Sequence, residues 1–114
     1  MSTKDDFFPG FVGELPEAEI SFKGIIGKVL QGEDHQLLFM EINPIGEVPP
    51  HKHGAQWGCV LEGEIELTIR GETKTYRKGD TYFIPDGVVH SAVFNSKVCA
   101  IDFFADRDRY SLKK

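Results

Sequence analysis

The feature that most constrains the fold is a strict two-residue alternation of apolar and polar side chains over residues 64–70. Ile65, Leu67 and Ile69 fall on one face of an extended chain, and the polar residues between them fall on the other. Because side chains on a β-strand alternate between its two faces, this pattern is typical of an antiparallel strand with one buried face. A helix would need an apolar period near 3.6, and no stretch of about 12 residues or more shows one.

Similar short segments follow one another along the chain, and turn-forming residues separate them. Pro85-Asp86-Gly87 is one such turn, since proline presets φ and glycine permits a positive φ. A stiff, proline-containing loop is predicted for residues 44–50. The predicted strands are residues 19–29, 37–42, 64–70, 73–76, 81–84, 88–94 and 98–104. About eight short strands without crossover helices predict an all-β sandwich or barrel.

Length and composition are those of one globular domain, residues 1–114, with its core at about residues 19–105. A net charge of -5 and the lack of a basic run argue against nucleic-acid binding. No apolar run reaches the roughly 18 residues that cross a bilayer, and no secretory signal is expected. Cys59 and Cys99 lie in apolar segments and are predicted to be reduced, buried thiols, so a cytoplasmic location is expected.

Three of the four histidines lie in two short segments. His51 and His53 are two residues apart, so on a strand both imidazoles would project from the same face. Such a pair supplies two nitrogen ligands to a transition metal, and His90 is a candidate third. The remaining histidine, His35, follows two acidic residues in an apparent loop and is predicted to be exposed.

The surroundings of these histidines resemble the two sequence motifs of the cupin family. The first motif has a glycine, a His-x-His pair, an acidic or amide residue and a later glycine, and it matches Gly46, His51, His53, Gln56 and Gly63. The second motif, G(x)5PxG(x)2H, is matched at every defined position by Gly79, Pro85, Gly87 and His90. The resemblance implies a double-stranded β-helix, the jelly-roll barrel of cupins.

The same resemblance implies that one divalent transition-metal ion is held by His51, His53, Gln56 and His90. Manganese, iron, cobalt, nickel and zinc all suit a nitrogen-rich site of this kind. The residues alone leave two alternatives open. In one, Gln56 is a hydrogen-bonding neighbour of a three-histidine site; in the other, the histidines form a polar cluster without a metal.

Gln56 differs from the family pattern in type and in spacing. Cupins usually have glutamate here, whereas glutamine offers a neutral carbonyl oxygen. Three imidazoles and an amide leave the charge of a divalent ion uncompensated, so the site is expected to attract an anionic substrate. Only two residues separate His53 from Gln56, where the family has three or four. A bulge at Gly54-Ala55 is therefore expected to turn Gln56 inward.

Asp102 lies inside an otherwise apolar segment, where a carboxylate is costly to bury unless it faces solvent, a cation or the barrel lumen. This region resembles the C-terminal part of pectin-degradation cupins, which convert 4,5-unsaturated uronates to linear keto forms. The resemblance implies Asp102 as the acid/base, Phe104 as a pocket wall and Arg107 as a clamp for a substrate carboxylate. A surface pair of Asp102 and Arg107 is the open alternative.

Several functions fit these residues, because one barrel supports many chemistries. The first is a metal-dependent enzyme that isomerises or tautomerises a small carboxylate or sugar acid. The others are an iron-dependent dioxygenase and a non-catalytic cupin that binds or senses a small ligand. A homodimer is also expected, because edge strands of a small barrel need cover. In that prediction the N-terminal segment, residues 1–18, packs on the barrel or on a partner subunit.

Overall fold

The computed structural model describes residues 7–113, which form nine β-strands and one short helix. The helix, α1, is Gly10–Gly13. The strands are β1 Ile25–Gln31, β2 Gln36–Ile42, β3 Gly46–His51, β4 Gln56–Glu62, β5 Glu64–Ile69, β6 Glu72–Arg77, β7 Thr81–Ile84, β8 His90–Phe94 and β9 Val98–Phe104. Among the described residues, no helix is long and apolar enough to cross a membrane.

The strands form two antiparallel sheets that enclose one core. The larger sheet has the order β1-β2-β9-β4-β7, and the smaller has the order β3-β8-β5-β6. Strands that are distant in sequence are neighbours in both sheets, as in a jelly roll. The all-β jelly-roll barrel predicted from the sequence is therefore confirmed.

The core lies between the inner faces of the two sheets. Strand β5 shows how the alternation of apolar and polar residues produces this core. Ile65 and Leu67 are buried, while Glu64 and Glu66 are exposed. The other buried apolar residues of this core are Ala18, Val29, Leu38, Met40, Ile42, Val60, Tyr82, Ile84, Phe94, Val98, Ala100 and Phe104. Cys59 and Cys99 are both free thiols; Cys99 is buried, and Cys59 is half-buried.

Two predicted element boundaries were wrong. The strand expected at residues 19–29 begins only at Ile25, because Gly24 takes a φ of 87° that interrupts the extended chain. The loop expected at residues 44–50 is mostly strand β3. Its two prolines are accommodated because β3 is an edge strand and its pairing with β8 is irregular between Val48 and His51.

Of the N-terminal segment, residues 1–18, the structure describes residues 7–18, and these lie against their own barrel. The ring of Phe8 packs edge-to-face on Phe39 of β2, with centroids 5.4 Å apart. The backbone N–H of Val29 donates to the carbonyl of Pro16, and Ala18 is buried in the core. The first six residues lie outside the described part.

Candidate metal centre

His51, His53 and His90 converge at one end of the barrel. His51 ends β3 and pairs across the smaller sheet with His90, the first residue of β8. His53 lies in the connection between β3 and β4. The candidate ligand atoms of the three histidines all lie within 4.8 Å of one another. The predicted clustering of these residues is present, although His53 is not on a strand.

Each of the three imidazoles is oriented by a backbone carbonyl. The Nδ1 atoms of His51, His53 and His90 lie 2.9, 2.8 and 2.9 Å from the carbonyl oxygens of Pro49, Gly54 and Val88. A carbonyl only accepts hydrogen bonds, so each Nδ1 carries the proton and donates it. Every Nε2 therefore carries an unshared lone pair. This is the tautomer in which a histidine ligates a metal through Nε2.

The lone pairs of His53 and His90 face one another. The Nε2 atoms of His53 and His90 are 3.2 Å apart. Two unprotonated nitrogens at this distance are complementary to a cation between them, and the nitrogen donor set suits a divalent transition metal. The residues present therefore fit the metal that the cupin motifs imply.

Burial keeps two of these imidazoles neutral. It lowers the pKa of His53 to about 4, and the positive charges of Arg109 and the other two histidines act in the same direction, against the hydrogen bond to Gly54. Burial also lowers the pKa of His90. Both groups are thus unprotonated at neutral pH and available as ligands.

The loop that carries His53 is held on both sides. The N–H of Gly54 donates to Asp106 Oδ2 at 2.9 Å, and the N–H of Gly87 donates to the carbonyl of His53 at 2.9 Å. A Cβ atom at Gly54 would collide with the Asp106 carboxylate, so any other residue here would have to displace Asp106 and disturb its bond to the loop. The β-bulge expected at Gly54-Ala55 is instead this short connection between two strands, which changes the chain direction before β4 begins.

Gln56 is the first residue of β4, and its side chain lines the cavity beside the histidines. Its amide nitrogen donates to Asp102 Oδ1 at 2.9 Å. Because the nitrogen is turned towards Asp102, the carbonyl oxygen is the atom left for a cation. This arrangement is compatible both with Gln56 as a ligand and with Gln56 as a neighbour that positions Asp102.

Asp102 lies on the inner face of β9 and is only 5% exposed. Besides the bond from Gln56, its Oδ1 accepts a hydrogen bond of 2.6 Å from the hydroxyl of Tyr82 on β7. Burial raises the pKa of Asp102, while the bonds from Tyr82 and Gln56 oppose that rise. The surface pair with Arg107 is excluded by this position, and Asp102 instead faces the barrel interior.

Gly58 makes the contact between Tyr82 and Asp102 possible. On the larger sheet Gly58 pairs with Tyr82 on one side and with Asp102 on the other. A Cβ atom at Gly58 would collide with the Tyr82 ring and with Asp102 Oδ1. The tyrosine therefore crosses β4 above a residue that has no side chain.

Arg107 does not lie where the resemblance implied. Its side chain is exposed and does not line the cavity, and only its backbone carbonyl is used, as an acceptor from Gln31. Arg109 lines the cavity instead. The chain leaves β9 at Phe104 and turns through residues 105–109, so the inward position falls two residues later than predicted.

Arg109 is held by aromatic rings rather than by an acidic partner. Its guanidinium carbon lies 4.3 Å from the ring centroid of Tyr110 and 5.8 Å from that of Phe104. Its Nε is buried and has no hydrogen-bond partner among the described residues. Gln36 fixes this segment, because its side chain both donates to and accepts from the backbone of Tyr110, at 2.9 and 3.0 Å. Arg109 therefore contributes a cation to the cavity wall.

The cavity has a volume of about 420 Å³, within the usual range for small-molecule sites. Polar residues surround the histidine end, and apolar residues from both sheets line the rest. The lining residues are Ile20, Phe22, Ile25, Met40, Ile42, Val48, Pro49, Pro50, His51, Lys52, His53, Gln56, Ile65, Leu67, Tyr82, Ile84, His90, Ala92, Phe94, Asp102, Phe104, Arg109 and Tyr110. His35, by contrast, is exposed and stacks on Phe103 outside the barrel.

Sequence reasoning missed Arg109 and assigned no role to Gly58. Nothing in the local sequence distinguishes Arg109 from Arg107, since both follow β9 in a charged segment. Gly58 offered a weak signal of the contact between Tyr82 and Asp102, because an isolated glycine inside a strand often marks a place where another group approaches closely.

Comparison with known proteins agrees with this geometry. The cupin domain family matches residues 38–104, which is more than half of the chain. The chain belongs to the cupin family. No curated protein is significantly similar to this cupin in sequence.

Solved structures of other proteins share the fold. An RmlC-like cupin from Shewanella frigidimarina is 28% identical, with a TM-score of 0.72 over 95% of this chain and 94% of the other. KdgF from a Halomonas species is 25% identical, with a TM-score of 0.70 over 81% and 88%. AerE from Microcystis aeruginosa is 26% identical, with a TM-score of 0.71 over 79% of this cupin but only 45% of AerE.

Proposed function

We propose that this cupin is a divalent-metal-dependent enzyme that isomerises or tautomerises a small carboxylate or sugar acid. The observation that carries the proposal is the set of three Nε2 lone pairs, fixed by backbone carbonyls, at one end of a cavity that also contains Asp102 and Arg109. A purely structural histidine cluster would have no need of three matched tautomers.

The charge balance of the site favours an anionic substrate. The three imidazoles and Gln56 contribute no negative charge to a metal, and the nearby cation Arg109 has a buried Nε without a partner. A carboxylate accepts hydrogen bonds from guanidinium in a well-defined planar geometry. Arg109 is therefore the residue that we expect to bind the substrate carboxylate, in the role that the resemblance assigned to Arg107.

Proton transfer is assigned to Asp102, whose carboxylate lines the cavity and is positioned by Tyr82 and Gln56. A metal held by His51, His53 and His90 would supply Lewis-acid polarisation of a carbonyl or hydroxyl oxygen. Asp102 removes a proton from the substrate and returns it at another atom, which is the minimum required of a tautomerase. Phe104 and the other apolar walls exclude water from this exchange.

The structural likeness to KdgF supports a sugar-acid substrate, since KdgF is a pectin-degradation cupin. The resemblance of residues 100–107 to that class supports the same chemistry, with Arg109 replacing Arg107 in the cavity. The first substrates to assay are accordingly 4,5-unsaturated uronates, followed by other small keto acids.

The first test is metal content, measured by mass spectrometry on untagged protein beside His51→Ala. We expect about one equivalent in the wild type and its loss in the variant. No metal in the wild type, even after loading, would overturn the enzyme mechanism and favour a ligand-binding cupin. Iron accompanied by oxygen consumption would favour the dioxygenase.

The two arginines provide a matched pair for the second test. Arg109→Gln is expected to raise KM for a carboxylate substrate by about tenfold or more, because a charge-assisted contact is lost. Arg107→Gln removes the same charge from an exposed position and should leave KM unchanged. Equal effects of the two substitutions would remove Arg109 from substrate binding.

A further inference from the structure

One wall of the cavity, formed by β5 and β8, is apolar beyond its histidine. From His90 the inner face of β8 continues through Ala92 to Phe94, and both of these residues line the cavity. On β5 the facing residues are Leu67, which pairs with Ala92, and Ile65. No charged or hydrogen-bonding side chain accompanies these four residues on the cavity faces of β5 and β8 beyond His90.

The apolar part is large enough to hold a ligand of its own. His90 and Phe94 both line the cavity and are four residues apart, about 13 Å along the strand. An apolar cavity of roughly 150 Å³ holds one benzene molecule. The 420 Å³ here therefore exceeds what a metal and a carboxylate occupy at the histidine end.

We propose that the substrate is an amphipathic monocarboxylate: its acid group lies at Arg109 and the histidines, and its body, which is hydrocarbon rather than polyhydroxylated, lies along β8 towards Phe94. This inference rests on the proposed function and narrows it within the carboxylate class. Of the two substrate forms in the proposed function, it chooses the small carboxylate over the sugar acid that the likeness to KdgF favours, because ring hydroxyls directed at Leu67, Ala92 and Phe94 would have no partners. Each unpaired hydroxyl weakens binding by about tenfold or more.

The residues at the entrance agree with this choice. Ile20 and Phe22, in the irregular segment before β1, line the same cavity, and Phe22 remains 38% exposed. Gly24 ends that segment with a positive φ, and its carbonyl accepts a hydrogen bond from Asn43. An apolar side chain that is exposed at an apolar entrance gains buried surface when a hydrocarbon ligand enters.

The decisive experiment compares two ligands of the same ring size and charge. Cyclohexanecarboxylate and galacturonate are titrated calorimetrically into metal-loaded and into metal-free protein. We expect cyclohexanecarboxylate to bind at least tenfold more tightly in both forms. Equal or tighter binding of galacturonate would overturn the proposal.

A series of linear carboxylates measures the length of the apolar part. From butyrate to octanoate, each added methylene should tighten binding by about threefold to fourfold while the cavity has room for it. Affinity that is independent of chain length would show that the hydrocarbon lies in solvent, and the proposal would be wrong.

Two substitutions on β8 localise the effect. Ala92→Leu fills the apolar part and should weaken octanoate binding by at least tenfold, while acetate binding and metal content stay unchanged. Val93→Leu is the matched control, because Val93 is the next residue on the strand, does not line the cavity and faces the other side of the sheet. Equal effects of the two variants on octanoate would contradict the assignment.

Failure of the proposed function can be distinguished from failure of this inference. Protein that binds no metal yet prefers cyclohexanecarboxylate would overturn the enzyme mechanism and retain the ligand class. Protein that binds one metal through the histidines yet prefers galacturonate would do the reverse.

Discussion

The two faces of the larger sheet differ in a way that is unusual for a small domain. On three neighbouring strands, a polar residue on the inner face is followed directly by an aromatic residue on the outer face. The pairs are Gln56 and Trp57 on β4, Tyr82 and Phe83 on β7, and Asp102 and Phe103 on β9. The three aromatic residues are 40–58% exposed, with Phe83 the most exposed.

On the outer face these three aromatic residues and two leucines form one apolar row across all five strands. Successive cross-strand pairs connect Leu30, Leu37, Phe103, Trp57 and Phe83. A contiguous apolar row of this kind is typical of a surface that meets another protein. On the inner face, burying a carboxylate is costly, and the hydrogen bonds from Tyr82 and Gln56 offset part of that cost.

Each face departs from the usual distribution of residues in its own way: the inner face buries polar groups, and the outer face exposes aromatic ones. In the proposed function, the inner face accepts buried polar groups because the reaction would need them. We propose that the outer face accepts exposed aromatic residues because a second copy of the chain covers it. Four strands of seven residues and one of four, about 4.8 Å apart, present roughly 400 Å² of projected area per subunit, which is the size of a weak dimer interface.

The largest effect is expected from Asp102→Asn, which alters the inner face without changing its shape. Turnover should fall by at least about a hundredfold, because the proton acceptor is lost, while metal content stays at one equivalent. Steady-state kinetics and metal analysis on the same sample measure both quantities. Asp108→Asn, at an exposed position, is the control. Retained turnover in Asp102→Asn would remove this residue from the mechanism.

The second effect concerns the close approach at Gly58. Gly58→Ala should lower the free energy of unfolding by about 1–3 kcal/mol, since its Cβ would displace Tyr82 or Asp102. Denaturant titration measures the change. Gly13→Ala, where a Cβ meets nothing within 4 Å, should be nearly neutral. Similar losses in both variants would show that the packing at Gly58 is not the cause.

The third effect tests the outer face. Phe83→Lys should weaken self-association by at least about tenfold without affecting metal content, because it places a charge in the proposed interface. Analytical ultracentrifugation over a concentration series measures the dimer constant. Val89→Lys places the same charge at another exposed apolar residue outside this sheet and should have no effect. A wild type that is monomeric at every concentration would refute the homodimer.

The smallest effect is a pH dependence that again separates the two faces. In metal-free protein the pKa of His53 is lowered to about 4 from an ordinary value of 6.5, so the unfolded chain takes up a proton first as the pH falls. Stability that is fully present above pH 6.5 is therefore lost progressively towards pH 4. Because His53 is only partly buried, we expect roughly 1 kcal/mol of this stability to be lost between pH 7 and pH 5, which lowers the Tm by about 4–6 °C.

His53→Asn should reduce that drop, and His35→Asn should not, because His35 lies exposed against Phe103 on the outer face. Calorimetry of the chelator-treated proteins compares them. If acidification lowers the Tm of the wild type and of both variants by the same amount, the acid sensitivity does not come from the histidines of the metal centre.

Much of the site could be predicted because its signals are local. The alternation of β5 determined which residues are buried, and the spacings of the two cupin motifs identified the three histidines that converge. The roles proposed for Gln56 and Asp102 remain predictions, although both side chains lie in the cavity wall. Arg107 could not be distinguished from Arg109, because the turn after β9 decides which of them faces inward.

The sequence by itself determined the all-β class, the cupin family and the histidine cluster, since strand alternation and motif spacing depend only on near neighbours in the chain. The tertiary structure decided which arginine enters the cavity, how far the apolar part extends and what orients each imidazole. Those features depend on contacts between distant segments, such as Gln36 with Tyr110 and Asp106 with Gly54. No local pattern encodes such contacts, because they arise only when the two sheets close around a common core.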